Sequence, residues 1–100
     1  MDILNTLKKT GLPVVYSHSR KKNIKLPYIA FIGSGQDIKA ADNTYYYSRN
    51  TYQIEYYFIK KNEENETAIE QALLADGWHY TKSEDSYIED EEVFVIYYHV

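Results

Sequence analysis

Tyr45-Tyr46-Tyr47-Ser48-Arg49-Asn50-Thr51-Tyr52-Gln53-Ile54-Glu55-Tyr56-Tyr57-Phe58-Ile59-Lys60 is the stretch whose reading decides the fold. From Thr51 onward it alternates. Tyr52, Ile54, Tyr56 and Phe58 fall on one side, and Thr51, Gln53, Glu55 and Tyr57 on the other. Successive side chains of a strand point to opposite faces, so the segment reads as a half-buried strand with a wet outer face. Its aromatic and β-branched residues suit a pleated surface. At about 3.3 Å per residue it is long enough to cross a small domain, and we take it as the central strand of an antiparallel sheet.

Working outward toward the C-terminus, Asn62 is placed to cap a helix over Glu63–Asp76. Glu63, Glu64 and Glu66 then sit at the positive end of the helix dipole. Ala68, Ile69, Ala72 and Leu73 make an apolar stripe for the sheet, and Gly77 with Trp78 supplies the stop signal. Trp78–Lys82 reads as a strand and Ser83–Tyr87 as a turn. Ile88 leads into the acidic run Glu89-Asp90-Glu91-Glu92, a solvated hairpin tip. Val93–Val100 reads as the last strand, pairing beside the central one or extending the sheet.

Toward the N-terminus, Gly33-Ser34-Gly35 reads as a turn, and residues 33–44 as a connection closed by Asp42-Asn43. Leu26–Ile32 is apolar at every position but Pro27 and reads as a strand covered on both sides. His18–Asn23 is a basic loop or strand edge, and Val14-Val15-Tyr16 a short strand. Asp2 can cap a helix over Asp2–Thr10, which ends at Gly11 and Pro13.

One hundred residues make one domain, 1–100, with ordinary hydrophobic and charged content but twelve tyrosines. Tyrosine joins an apolar ring to a polar tip, so this richness suits a half-buried sheet and also an interface. The chain contains no cysteine, which excludes disulfides and thiolate chemistry. Met1–Thr10 lacks the apolar core of a signal peptide, and no apolar run reaches the roughly 20 residues of a membrane span. The protein is therefore expected inside the cell, away from the membrane.

The net charge of −4 is unevenly spread. Residues 1–30 carry six Lys/Arg against Asp2, a net of +5; residues 61–100 carry two lysines against eleven acids, a net of −9. The overall acidity argues against sequence-specific nucleic-acid binding. A basic pole and an acidic pole on one chain suit a contact in which one copy's surface meets a different surface of the next.

Catalytic patterns are missing. There is no phosphate-binding glycine loop, no nucleophile elbow and no EF-hand spacing, and His18, His79 and His99 lack metal-ligand spacing. The expectation is a non-enzyme with no catalytic residues, no cofactor and no metal.

The residues 26–37 (Leu-Pro-Tyr-Ile-Ala-Phe-Ile-Gly-Ser-Gly-Gln-Asp), 41–46 (Ala-Asp-Asn-Thr-Tyr-Tyr) and 52–57 (Tyr-Gln-Ile-Glu-Tyr-Tyr) carry a resemblance. With the flanking helices and the Ile-Glu-Asp-Glu hairpin, nearly the whole chain resembles the tail-terminator, or head–tail joining, proteins of tailed bacteriophages and prophages of Gram-positive bacteria. The resemblance implies an α+β fold, with two helices packed on one face of a mostly antiparallel sheet in the order α-β-β-β-α-β-β. It implies a structural protein that caps the tail tube and joins it to the head connector. Its partners would be copies of itself in a ring, typically a hexamer, the tail-tube protein and the head-completion protein. The isolated chain could stay monomeric. It would be found in the host cytoplasm during assembly and then in the virion neck. At the subunit interface, Arg20, Lys21 and Lys22 are expected to face Glu89, Asp90, Glu91 and Glu92 of the next copy. Two other classes are kept open: a small phage-encoded module that binds a host or phage protein, and a small hydrolase with a scattered site.

Overall fold

The computed structural model of the chain describes residues 2–16, 24–41 and 45–100. Its elements are α1 (Ile3–Lys8), β1 (Val14–Tyr16), β2 (Tyr28–Ala41), β3 (Tyr45–Phe58), α2 (Glu63–Ala75), β4 (Thr81–Lys82), β5 (Ser86–Ile88) and β6 (Val93–His99). The fold is α+β, with two helices and one six-stranded sheet. The strands run β1-β2-β3-β6-β4, with β5 also on β6. Among the described strand pairs, β1–β2 alone is parallel.

β3 lies between β2 and β6, and its alternation sets the core. Ile54, Tyr56 and Phe58 are buried, while Gln53, Glu55 and Tyr57 on the opposite face are half-buried. Cross-strand partners share a face, so Ile29 of β2 and Ile96 and Tyr98 of β6 join Ile54 and Tyr56. Ile3 and Leu7 of α1 and Ile69 and Leu73 of α2 close the same cluster, together with Trp78. Tyr56 and Tyr98 are its largest fully buried side chains. Burying a side chain of this size contributes about 2 kcal/mol.

Both helices begin where a local polar side chain supplies the cap. Asp2 Oδ1 accepts from Leu4 N–H at 3.0 Å, and Asn62 Oδ1 accepts from Glu64 and Asn65 N–H at 3.0 and 3.3 Å. α2 stops in a left-handed turn at Gly77 (φ 83°). Gly77 N–H donates to Leu74 C=O and Trp78 N–H to Leu73 C=O, which satisfies two terminal carbonyls.

Two expectations need correction. The element order has a third strand after α2, giving α-β-β-β-α-β-β-β. Trp78 turns into the core instead of opening a strand, and Ser86-Tyr87 from the end of the expected turn, with Ile88 after it, pair with β6 as a strand. Ser83 bridges the break. Its N–H donates to Tyr97 C=O, and its hydroxyl accepts from Tyr97 N–H, both at 2.8 Å. The hydroxyl thus replaces a ladder acceptor. The second correction concerns the connection expected over 33–44, because β2 continues through it to Ala41. Gly35 (φ 125°) makes a bulge, where the register slips between Gly33 and Gly35, and pairing then resumes. A glycine that permits a turn permits a bulge equally well. The Asp42-Asn43 turn lies outside the described residues.

Candidate assembly surface

β1 ends opposite Phe31, and β6 ends opposite Gln53. A last backbone pair joins Tyr52 and Val100. Past that point β2 and β3 pair only with each other among the described residues. Seven successive pairs, from Gly35↔Thr51 to Ala41↔Tyr45, form a two-stranded ribbon. At about 3.4 Å per residue it projects some 20–25 Å, and the molecule is accordingly elongated, 51 × 25 × 23 Å. Residues 33–38 are exposed, and Ile38 keeps 61% of its surface in solvent. Cross-strand polar contacts hold the near part: Ser34 Oγ donates to Thr51 Oγ1 at 2.8 Å, and Gln36 Nε2 to Asn50 Oδ1 at 3.3 Å. Among the described residues nothing pairs with either outer edge, which leaves an open template for another chain.

The ribbon is fastened at its root by aromatic side chains. Phe31 packs edge-on to Tyr52 (6.3 Å between centroids), and Tyr52 edge-on to Trp78 (5.8 Å). The Arg49 guanidinium lies 4.7 Å from the Trp78 ring centroid. Trp78 is itself anchored, since Nε1–H donates to Thr6 Oγ1 at 3.3 Å. Thr6 Oγ1 in turn donates to Asp76 Oδ2, whose second oxygen accepts from Lys9 at 2.6 Å. Lys9 and Thr6 together hold the Asp76 carboxyl below its ordinary value. Arg49 has a buried Nε that finds no partner.

The acidic turn is at the other pole. β3 runs from the ribbon into the body, and β6 starts beside Phe58 at the far end. Glu89, Asp90, Glu91 and Glu92 therefore turn at the end of the sheet remote from the ribbon. All four are exposed, and none makes an ion pair with a described residue. Glu91 and Glu92 N–H donate back to Ile88 and Glu89 C=O, both at 3.3 Å, and Glu92 takes φ 54°. Arg20, Lys21 and Lys22, the expected counterparts, lie outside the described residues.

Two other polar features lie in the body of the molecule. The Glu66 side chain, 4% exposed, lies 2.7 Å from Lys61 Nζ and 2.9 Å from Lys82 Nζ, and Lys82 also meets Glu70 at 2.8 Å. Burial alone would raise the Glu66 carboxyl, but the two lysines outweigh it and hold it below its ordinary value. Tyr98 O–H donates to Glu70 at 2.8 Å, and burial followed by that carboxylate pushes the phenol well above its usual range. A carboxylate held ionised between lysines is a poor proton acceptor, so this cluster is built to tie α2 to the sheet. A cleft of ≈410 Å³ opens between Leu26-Pro27 and the segment 58–62, with Asn65 on its wall. Lysines and asparagines line it, without carboxylate, histidine or hydroxyl. Among the described residues no cluster of three His, Asp or Glu could hold a metal ion, and no helix is long and apolar enough to cross a membrane.

Sequence reading missed the ribbon, the Arg49–Trp78 contact and the Glu66 cluster. One signal for the ribbon was present: Tyr45–Thr51 continues the β-prone run of β3, and a strand that long needs a partner. Arg49 and Trp78 are far apart in sequence and carry no such signal. Compared with known proteins, the chain matches no family model and no curated protein.

Proposed function

We propose that this chain is a non-enzymatic virion structural protein, a tail terminator that forms a ring on the head-proximal end of a phage tail tube and joins it to the head connector. The observation that carries the reading is the projecting ribbon. A two-stranded hairpin is marginal on its own in water, and one that extends some 20 Å with neither edge paired to a described residue is suited to lie against a neighbour. The resemblance of residues 26–57 to tail terminators supplies the identity of the assembly. The polarity of the molecule supports a ring: ribbon and acidic turn are at opposite ends, so one copy can meet the next through unlike surfaces, the kind of contact that closes cyclic assemblies.

In this reading the two helices cover one face of the sheet. The other face, with Tyr28 stacked on Tyr57 at 5.0 Å and Tyr97 nearby, is left for the tail tube. Tyr57 O–H donates to Glu55 at 2.7 Å and Gln53 Nε2 donates to the same carboxylate at 3.0 Å, so this face is patterned and partly apolar, like many interface centres. Arg20, Lys21 and Lys22 face Glu89, Asp90, Glu91 and Glu92 of the next copy. The test is deletion of the coding sequence from the phage or prophage that carries it, with electron microscopy of the lysate. Separate heads and tail tubes of irregular length are expected. Joined virions with tails of normal length would contradict the reading.

A further inference from the structure

Arg49 is poorly provided for. Its guanidinium lies over Trp78, its Nε is buried, and its side chain makes no hydrogen bond or ion pair with any described residue. The Asp37 side chain, directly opposite in the ribbon register, makes no ion pair with it. The guanidinium carbon lies 4.7 Å from the Trp78 ring centroid, and a guanidinium offers N–H groups as a fork that takes a carboxylate through two parallel bonds. The contact with the ring already restrains the side chain, so less freedom remains to be lost on binding.

The complementary group is on the same chain but at the wrong end. The Glu89–Glu92 turn is exposed, free of ion pairs with described residues, and remote from the ribbon root. Within one copy the two cannot meet; between two copies they can. We propose that Arg49, held on Trp78 at the ribbon root, is the receptor for a carboxylate of the Glu89–Glu92 turn of a second copy of this chain. This rests on the ring reading above and adds the residue that receives the acidic turn.

Sedimentation velocity of the full chain, over a concentration series reaching several hundred micromolar at low ionic strength, tests the contact. Trp78 is the only tryptophan, so its fluorescence follows the stacked guanidinium in the same samples. Arg49→Glu should weaken self-association at least tenfold, and so should the combined change E89K/D90K/E91K/E92K. An equimolar mixture of the two variants should recover assembly, because each then supplies the pole that the other has lost. Arg49→Lys keeps the charge but not the fork, and should recover only part of the affinity with an altered Trp78 emission. Thermal melts of each variant establish folding. Wild-type-like assembly by Arg49→Glu, failure of the mixture to recover, or no self-association of the wild type over this range would each overturn the contact. The deletion phenotype decides the ring reading independently.

Discussion

At the scale of single residues, Glu66 and Trp78 do most to join the elements. Lys61 and Lys82 converge on the Glu66 carboxylate, and both lysines are partly open to solvent, which screens them. Glu66→Ala is therefore expected to cost about 1–2 kcal/mol, short of the full penalty for breaking a sealed ion pair, and chemical denaturation checks it. Because the folded carboxyl titrates below its unfolded value near 4.5, its contribution is present above that pH and is lost as pH falls through the lower folded value. Glu66→Gln should flatten the acid limb of a plot of melting temperature against pH, and an unchanged limb would contradict the assignment. Tyr98 runs the opposite way. Its raised phenol favours the fold below pH 10 and loses that contribution as pH rises above it. None of this was readable in advance. Glu66 looked like one more acid in the first turn of a helix, and only the return of β4 beside α2 brings Lys82 to it.

At the scale of elements, legibility followed locality. The caps at Asp2, Asn62 and Gly77 act on backbone groups within a few residues, and they were readable because nothing distant can remove them. The alternation of β3 was readable for the same reason. The ribbon was not. Gly33-Ser34-Gly35 is compatible with a turn or a bulge, and the choice is made by pairing with Tyr45–Thr51, which a local pattern does not contain. β4 and β5 were hidden because a serine hydroxyl, not a backbone carbonyl, carries the ladder across Ser83. The ribbon should be the least protected part of the described sheet. Amide exchange over 36–41 in the isolated chain is expected to be at least a hundredfold faster than over Ile54–Phe58, and equal protection would count against an unsupported ribbon. Gly35→Ala should add strain of about 1–2 kcal/mol at φ 125°, with no clash, since the nearest atom to an added Cβ is Thr51 Oγ1 at 3.9 Å. That strain falls on the ribbon, so exchange over 36–41 should quicken while the melting temperature of the body barely moves.

At the scale of the whole molecule, a compact body joins its helices to the sheet and sends the ribbon out at one end and an acidic turn at the other. The charge asymmetry was legible by counting residues, but its geometry was not. The far position of Glu89–Glu92 follows from the antiparallel run of β6, which the sequence pattern left open between two arrangements. If the contacts between copies are largely electrostatic, raising the salt from 50 to 500 mM should weaken any oligomer. Reversal of Arg20–Lys22 should weaken assembly, and reversal of Glu89–Glu92 in the same chain should restore it only in part, because Arg49 keeps its positive charge; assembly unaffected by the first change would remove that pairing. The central claim is that the chain is a ring subunit whose ribbon finds its support in the next copy. Cryo-electron microscopy of the neck of virions from the phage that encodes it tests this most directly. The account predicts a closed ring of these subunits at the head-proximal end of the tail, with the 35–51 ribbon of each lying against its neighbour. A neck without the chain, or a ring in which the ribbons stand free in solvent, would contradict it.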